Sequence, residues 1–425
     1  MLADKFGFAA GALFPLLWVH VGWASSESDA LGRRPFGDAR DPPSYSTLIE
    51  SEQARVELGH AVFNTHWVPA GTANAGRRAG LGPLFNASAC DACHNEGAHG
   101  RGPTGDGDAP AALVMQLEMP ARAAGKTPRG DPRYGQILST AAIEGERPEA
   151  AVTIRYRVRA GRYPDGSTWR LRSPEYRLSE LQYGPLSKST ILEPRLAPAL
   201  FGVGLLEAVP DLPEERFGWQ GRTISIRDQT TKAFARDMGL TSSVVHQDDC
   251  TAAQHACLAA PSGGNPEVSD ELLDAVIEFQ RHLAVPERGA IPNDASSAQR
   301  LFGELGCGAC HRERLPVAVT DAGGLTKPGV IEPYTDLRLH NLGSGLADSD
   351  VSGRKISSRW RTAPLWGLAY RLRIERAPTF LHDGRARSIE EAILWHGGEA
   401  QAARHAFEHL PASQRRQLLR WVESL

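Results

Sequence analysis

Two five-residue strings constrain this chain more than any other feature of its sequence. They are Cys90–His94, which reads C-D-A-C-H, and Cys307–His311, which reads C-G-A-C-H. Both have the C-x-x-C-H pattern by which c-type haem is attached. Two thiols three positions apart on one helical turn can both reach the vinyl groups of one porphyrin, and the imidazole that follows can bind the iron as proximal ligand.

A single string of this kind could also be a zinc knuckle or a redox dithiol. Two copies that both end in histidine, on a chain with an export signal, favour haem. We therefore predict two covalently bound haem c groups. The attachment residues are Cys90, Cys93 and His94 for the first haem and Cys307, Cys310 and His311 for the second.

The N-terminal residues have the pattern of a secretory signal. Lys5 precedes an apolar run over residues 6–22, and Gly22 and Ala24 are small residues at the usual cleavage positions. We expect residues 1–24 to be a signal peptide, with an uncleaved membrane anchor as the alternative. The folded part is then periplasmic, and no later apolar run approaches the length of a membrane span.

The cysteine count agrees with an exported protein. Of the six cysteines, four belong to the two strings, and the remaining pair is Cys250 and Cys257. In an oxidising compartment the natural interpretation of this pair is a local disulfide.

Length and charge set broad limits. The 425 residues suffice for two ordinary domains, and a net charge of -3 gives no basic footprint, so nucleic acid is not an expected partner. The 43 glycines and 29 prolines indicate a loop-rich fold around large cofactors.

Hydrophobic periodicity predicts helices over residues 52–63, 271–283, 297–305 and 414–425. Between about 150 and 185 the pattern alternates instead, which predicts two or more β-strands. Each half thus has a haem string and a closing amphipathic helix. We predict a mainly α fold of two cytochrome c-like haem domains, residues 25–285 with a small β insertion at about 150–185, and residues 286–425.

An internal repeat supports this duplication. The stretch Trp219–Ile226 in the first half is similar to His382–Ile389 in the second, and each follows the haem string of its half.

The sixth ligands of the two irons are less constrained. No methionine follows the second string, because the four methionines are Met1, Met115, Met119 and Met238. Histidines at 340, 382, 396, 405 and 409 remain as candidates there. For the first haem, the side chains that could cap the iron are His60, His66, His99 and Met115, and an open iron is the alternative.

A family resemblance selects among the histidines. Phe380–Arg385, preceded by Arg361–Leu365, resembles the bacterial di-haem cytochrome c peroxidases and the MauG-type di-haem enzymes. In those families the residue fourteen positions after the motif histidine is the sixth ligand, either Met or Tyr. His396 stands there in this chain, so the resemblance implies coordination by His311 and His396, which lowers the haem potential relative to His/Met ligation.

The same resemblance implies roles in the first half. Trp219–Arg222 resembles the W-D-G-R of those families, in which the tryptophan lies between the haems. Gln229 falls where they carry a distal-pocket glutamine. Asp237–Gly239 resembles their E-M-G, whose glutamate is the distal acid/base, and a carboxylate over an open iron can move the peroxide proton.

Over most of its length the chain is similar to the di-haem oxidoreductase, "putative peroxidase" family, which is also described as thiol oxidoreductase-like. The segments that carry this similarity are Gly82–Asn86, Gly202–Pro210, Asp336–Gly343, Leu381–Arg385 and His396–Glu399. Fold transfers better than function from such a resemblance. The peroxidases also imply a Ca2+ between the domains, although no oxygen-rich loop here is specific enough to assign.

The expectation is therefore a periplasmic di-haem oxidoreductase of peroxidase type. Hydrogen peroxide would be its small substrate and a small redox protein its electron donor or acceptor, with no membrane contact beyond the signal or anchor. Two alternatives are a non-catalytic di-haem electron carrier and a MauG-like enzyme that uses peroxide to modify a protein. A haem-based sensor or an iron-handling component is a third alternative.

Overall fold

The computed structural model describes residues 33–34, 50–120, 129–210, 212–213, 215–320 and 326–425. The expected signal peptide at residues 1–24 lies outside these ranges. Within them, no helix is both long enough and apolar enough to cross a membrane.

Ten α-helices lie in the described ranges, and most of them are short. They are α1 (Glu50–Phe63), α2 (Val203–Glu207), α3 (Ile226–Asp237), α4 (His255–Ala259), α5 (Asp270–Arg281), α6 (Ala295–Glu304), α7 (Leu368–Ile374), α8 (Ile389–Trp395), α9 (Gln401–Glu408) and α10 (Ala412–Glu423).

Fifteen strands lie in the same ranges. They are β1 (Arg33–Arg34), β2 (Leu84–Phe85), β3 (Gly107–Asp108), β4 (Leu113–Glu118), β5 (Ile137–Leu138), β6 (Ala141–Ala142), β7 (Ala151–Arg162), β8 (Thr168–Ser179), β9 (Ile191–Leu196), β10 (Val285–Pro286), β11 (Leu315–Thr320), β12 (Thr326–Ile331), β13 (Leu339–Asn341), β14 (Ser349–Asp350) and β15 (Arg359–Arg361).

The expectation of a mainly α fold of two cytochrome c-like helical domains is wrong. The structure is 30% helical and 21% strand, and the strands form several sheets. The four helices expected from periodicity are present as α1, α5, α6 and α10. The segments between them do not continue as helices, because frequent glycine and proline interrupt helices and leave extended stretches that pair over long distances.

The largest sheet joins the two halves of the chain. Its antiparallel strand order is β14-β9-β4-β5, and β14 comes from the second half. β9 ends at Leu196, so this sheet delivers the residues that follow it to the contact between the halves. The remaining sheets have two or three strands each.

The strands expected between residues 150 and 185 are present as a long antiparallel ribbon. β7 and β8 pair over their full length, from Ala151 opposite Ser179 to Arg162 opposite Thr168. The ribbon also bridges the halves, because Leu171 and Tyr163 pack in a hydrophobic cluster with helices of the second half.

Each haem string packs against a helical core. The first core is formed by side chains of α1, α3 and α5, and Cys90 packs on its edge. The second is formed by α6, α8, α9 and α10, with Cys307 on its edge. The two strings are thus held by separate hydrophobic clusters.

The internal repeat forms the same structure twice. Phe217 bridges to Thr223 in the first copy, and Phe380 bridges to Ala386 in the second. Each copy ends in a serine whose hydroxyl accepts the N–H three residues on and caps a helix, as Ser225 does for α3 and Ser388 for α8. Trp219 and His382 occupy equivalent positions in these two turns.

Candidate haem-binding and redox site

Both C-x-x-C-H strings fold into one tight turn with the same hydrogen bonds. The His94 N–H donates to the Cys90 carbonyl at 2.8 Å, and the His311 N–H donates to the Cys307 carbonyl at 2.9 Å. In each string the second cysteine also donates its N–H to the first cysteine's carbonyl. The two thiols of each string therefore lie on one turn, as the attachment of a single porphyrin requires.

The two proximal candidates are oriented in the same way. His94 Nδ1 lies 2.8 Å from the Pro198 carbonyl, and His311 Nδ1 lies 2.9 Å from the Tyr334 carbonyl. A carbonyl only accepts, so each Nδ1 carries the proton and leaves the Nε2 lone pair free for a metal. Burial lowers the pKa of both imidazoles to about 4, which keeps them neutral at pH 7.

The surroundings of the four thiols raise their pKa values, whereas the surroundings of a reactive dithiol lower them. Burial, followed by the Asp91 and Asp237 charges, raises the pKa of Cys90 to about 12, and the pKa of Cys93 is also raised to about 12. Burial raises the pKa of Cys307 and of Cys310 to about 11. Redox dithiols need lowered thiol pKa values, so this environment disfavours that alternative.

Asp237 lies beside the first string because two glycines let backbone segments touch. A Cβ on Gly82 would lie 2.6 Å from the Gly239 Cα, and Gly239 itself has a φ of +62°. This close approach lets the Asn86 N–H donate to the Asp237 carbonyl at 2.8 Å. The C-terminal end of α3 is thereby fixed to the segment that leads into Cys90.

The Asp237 carboxyl is the one strongly perturbed acid beside a string in the described residues. Burial, followed by the Asp249 charge and opposed by Arg236, raises its pKa to about 7. Its Oδ1 atom is buried and has no hydrogen-bond partner among the described residues. A carboxyl of this kind can both hold and release a proton near neutral pH.

Gln229 lies apart from Asp237. It is exposed on the second turn of α3, where its Oε1 accepts a hydrogen bond from the Thr223 hydroxyl at 2.9 Å. Eight residues separate it from Asp237, or about 12 Å along the helix axis. The structure therefore does not bring the two predicted distal residues together.

His396 is presented like the two proximal candidates. It follows the end of α8, and its Nδ1 lies 2.8 Å from the Ala392 carbonyl, which leaves Nε2 free. Burial lowers its pKa, and a charge on it would lower the pKa of His311. The His311 and His396 imidazoles are therefore both buried and close enough to interact electrostatically.

The loop that follows His396 is held by the segment after β13. Gly343 packs closely on Gly398, because a Cβ on Gly343 would lie 2.9 Å from the Gly398 nitrogen. Glu399 accepts hydrogen bonds from the Asn341 N–H at 2.8 Å and from His340 Nδ1 at 2.9 Å. His340 Nε2 in turn lies 2.9 Å from Asp336, so this imidazole bridges two carboxylates.

Aromatic rings connect the halves. The Trp219 ring meets the His382 ring edge-on with centroids 6.5 Å apart, and His382 stacks on Trp360 with centroids 3.7 Å apart and planes 10° apart. Trp219 Nε1 donates to the Leu196 carbonyl at 2.7 Å. Leu196 stands two residues before Pro198, whose carbonyl holds His94, so Trp219 is attached to the segment that orients the first proximal candidate.

Among the side chains that could cap the first haem, most are already engaged. His60 Nε2 lies 2.7 Å from the Asn64 amide nitrogen, and His66 Nδ1 lies 2.9 Å from the Ser88 hydroxyl. Met115 is 2% exposed within a hydrophobic cluster of β4. His99 differs, because its Nδ1 is buried without a hydrogen-bond partner among the described residues, and burial holds its pKa well below the usual value.

The remaining cysteines form a disulfide. Cys250 and Cys257 are joined, with Cα atoms 5.9 Å apart. They line a small cavity with Glu149, Asp248 and Asp249. Burial raises the pKa of Glu149 to about 8, so this carboxyl is largely protonated at pH 7. No set of oxygen ligands suited to Ca2+ stands out in the described ranges, where each converging group of three metal-binding side chains includes a cysteine.

Sequence reasoning did not predict the contacts of three residues at this site, although it named His340 among the candidate iron ligands and Arg361 within a family motif. The three residues are Trp360, which stacks on His382, Arg361, which donates to the Gly218 carbonyl, and His340, which bridges two carboxylates. All three depend on β13 pairing with β15, which local sequence does not reveal. The one usable signal was the repeat of Trp219–Ile226, which pointed to His382 as the counterpart of Trp219.

Comparison with known proteins identifies a family. The family described as "Di-haem oxidoreductase, putative peroxidase" matches residues 211–425, which include the second string, Trp219, Asp237 and His396. The first string precedes the matched segment. No curated protein matches the chain.

One solved structure is distantly similar. It is the Kuenenia stuttgartiensis hydrazine synthase pressurized with 20 bar xenon, at 12% sequence identity and a TM-score of 0.37, with 98% of this chain and 100% of that chain covered. The family match spans just over half of the present chain. The chain therefore belongs to the di-haem oxidoreductase, "putative peroxidase" family, and its role is a redox one that uses two haems.

Proposed function

We propose that this protein is an exported di-haem c-type oxidoreductase that reduces hydrogen peroxide. The observation that carries the proposal is an asymmetry between the two strings. Beside the first string lies Asp237, a buried carboxyl with a pKa of about 7 and an unpartnered oxygen. Near the second lies His396, an imidazole with its Nε2 free. The first site has a group that can move a proton, and the second has a group that can fill the sixth coordination position of an iron.

The residues around both strings fit covalently attached haem. His94 and His311 would be the proximal ligands, and the raised pKa values keep the four cysteines as thiols available for addition to the vinyl groups. Buried polar atoms near each string also lack partners within the described residues. Examples are the Asp237 Oδ1 and His99 Nδ1 atoms in the first half and the Trp395 Nε1 atom in the second. Unpaired buried polar groups are costly, so a bound polar cofactor beside them is favoured.

Each haem, when bound, supplies one-electron redox chemistry at its iron. The reaction takes up two electrons and two protons, so that hydrogen peroxide gives two waters. The Asp237 carboxylate accepts the proton from the peroxide oxygen that would lie next to the iron. It then returns this proton to the other oxygen, which leaves as water. We infer that an external small redox protein in the periplasm donates the electrons.

Trp219 and His382 are placed to carry electrons between the two halves. The edge-on contact of their rings spans the interface. The Leu196–Pro198 segment connects Trp219 to His94, because its carbonyls accept hydrogen bonds from both side chains. We assign them a positioning and electron-coupling role, not a proton-transfer role, since burial holds the pKa of His382 well below its usual value.

A second candidate function is favoured by His99. If this imidazole binds the first iron, both irons are six-coordinate and the protein is an electron carrier without catalysis. The buried Nδ1 of His99 has no competing partner among the described residues, which is the specific observation behind this alternative.

The test is the stoichiometry of peroxide consumption. The purified protein is reduced by two electrons, mixed with hydrogen peroxide in stopped flow, and followed in the Soret band. We expect one peroxide to be consumed for every two electrons lost. Absence of any rapid reaction, in both the fully reduced and the half-reduced protein, would establish the electron carrier instead.

A further inference from the structure

Arg361 carries a charge that no described residue balances. It ends β15 at the contact between the halves, where its backbone N–H donates to the Trp219 carbonyl at 2.9 Å and its Nε donates to the Gly218 carbonyl at 2.8 Å. Within the described ranges its two terminal nitrogens make no hydrogen bond, and no carboxylate lies within 4.0 Å of its guanidinium.

Its counterpart in the first half is fully compensated. The pattern R-x-A-P occurs twice, as Arg195–Pro198 and as Arg361–Pro364. The Arg195 guanidinium binds both oxygens of Asp348, at 2.8 and 2.7 Å, and lies 3.2 Å from Glu193. Arg195 and Arg361 therefore share a local sequence pattern but differ in the carboxylates that contact them: Arg195 contacts two, and Arg361 contacts none among the described residues.

Three buried guanidinium groups of the described chain have a carboxylate or several carbonyls as partners, although the Arg371 Nη2 atom makes no hydrogen bond of its own. Arg385 pairs with Asp383 at 2.7 Å, and Arg371 pairs with Glu375 at 3.1 Å. Arg172, which makes no carboxylate bond through its guanidinium, donates instead to four backbone carbonyls. Arg361, which is half-buried, has one carbonyl and no carboxylate, so its charge is less compensated than that of these three arginines.

Burial of an unpaired guanidinium is unfavourable. Burial is the sole cause that lowers the pKa of Arg361, to about 10, because no nearby carboxylate opposes the effect. The group still carries its charge at pH 7. Buried charges in folded proteins are paired, and a planar guanidinium suits the two oxygens of a carboxylate.

The position of Arg361 identifies the anion that is available. On one side it contacts Gly218 and Trp219, and Trp219 is bonded to the segment that holds His94. On the other side the next residue, Thr362, accepts a hydrogen bond from the Thr335 hydroxyl at 2.6 Å, and Thr335 follows the Tyr334 carbonyl that holds His311. Arg361 thus lies between the anchors of the two proximal candidates.

We propose that Arg361 binds a haem propionate as an ion pair at the contact between the halves. The ligand class is a carboxylate, and either of the two haems can supply it. The proposal rests on the two haems of the proposed function and not on the reaction with peroxide.

The experiment compares the midpoint potentials of the two haems in the wild type, in Arg361→Gln and in Arg359→Gln. Arg359 lies two residues away on the same strand, is exposed, and contributes the same formal charge, so it is the matched control. Two haems per chain are first verified from the alkaline pyridine spectrum. Potentials are then measured by spectroelectrochemistry from pH 5 to pH 9.

In R361Q we expect the potential of one haem to fall, because loss of a cation stabilises the ferric state. The unpaired propionate then gains a proton as the pH falls, so the same potential should become pH-dependent where the wild type is flat. The haem that responds identifies the source of the carboxylate. Both potentials unchanged at every pH, or an equal shift in R359Q, would overturn the proposal.

Arg361→Lys keeps the test decisive if R361Q does not accumulate, since lysine keeps the positive charge but cannot bind both oxygens of a carboxylate as a planar guanidinium does. A smaller fall in the same potential is expected in R361K. The haem count and the potentials do not involve peroxide, so a protein that carries two haems but ignores peroxide would contradict the proposed function and leave this inference standing.

Discussion

Trp219 and His382 occupy equivalent positions in two copies of one turn, and their rings meet with centroids 6.5 Å apart at an angle of 74°. Each copy also accepts a backbone N–H from the other half, as Arg361 donates to Trp219 and Leu196 donates to His382. The turn requires a positive φ at the position before His382. Leu381 adopts a φ of +73° there, which is unfavourable for a residue with a side chain, whereas the first copy has Gly218 at this position. The two halves are thus joined through the repeat itself.

Trp360 extends this contact, and its removal should slow electron transfer between the haems. Trp360→Leu removes the ring that stacks on His382 at 3.7 Å. We expect slower inter-haem transfer after photolysis of the half-reduced carbon monoxide complex, and a loss of about 2 kcal/mol of unfolding free energy from the cavity. Trp360→Phe keeps an aromatic face, so its transfer rate and its unfolding free energy should lie between those of the wild type and W360L.

The control for this change is Trp169→Leu, a tryptophan-to-leucine change on the ribbon, where the ring contacts Arg159 and not the interface rings. It should leave the transfer rate at the wild-type value. An unchanged rate in W360L would show that the stack has no electronic role.

His396→Ala should convert one low-spin iron to high-spin and leave both haems attached. The change removes an imidazole whose Nε2 is free and whose Nδ1 is fixed by the Ala392 carbonyl. Optical and EPR spectra report the conversion. His409→Ala is the matched control, because His409 makes the same Nδ1 bond to the carbonyl four residues before it but is exposed. Identical spectra for H396A and the wild type would remove His396 from the ligands.

The reaction with peroxide should depend on the ionisation of Asp237. Burial raises the pKa of this carboxyl to about 7, and only the ionised form accepts the peroxide proton. The bimolecular rate constant should therefore rise as the pH increases through about 7 and level off above it. Asp237→Asn should lower the plateau by about 100-fold and abolish the pH dependence.

Asp228→Asn serves as the comparison for that change. Asp228 lies near the other end of α3 and pairs with Lys232 at 2.9 Å. This variant should keep both the rate and its pH profile. A D237N protein that reacts like D228N would assign the proton transfer to another group.

His340 should stabilise the folded protein most strongly below neutral pH. Burial acts to lower its pKa, but hydrogen bonds to Glu399 and Asp336 outweigh burial and raise the pKa above the usual value. A raised histidine pKa contributes stability that is complete below the unfolded pKa of about 6.5 and is lost as the pH rises through the folded value. His340→Gln should lower Tm by about 1–2 °C at pH 6 and by less at pH 9. A constant difference across this range would exclude the ion pairs as its source.

The helices could be predicted where amphipathic patterns were local. α1, α5, α6 and α10 follow from apolar residues at helical spacing, and the ribbon follows from alternation near residues 151–162. The sheet of β14, β9, β4 and β5 could not be predicted, since β14 is two residues long and pairs with a strand from the other half. Pairing at such separation is set by tertiary packing, which a local pattern does not contain.

The candidate site divides in the same way. The two C-x-x-C-H strings and the candidate ligand His396 are predicted from spacing and from a family resemblance. Trp360 could not, because its stack on His382 requires β15 to pair with β13. Arg361 was visible in the sequence as part of a motif, yet the missing carboxylate that makes it unusual is a property of the folded chain.

The most direct test of the account is the low-temperature EPR spectrum of the oxidised protein as isolated. An open first iron and a second iron bound by His311 and His396 predict one high-spin and one low-spin ferric signal of equal concentration. Two low-spin signals in the oxidised protein, together with a one-electron-reduced protein whose remaining ferric signal is unchanged by peroxide, would contradict the account, because both irons would then be closed to substrate.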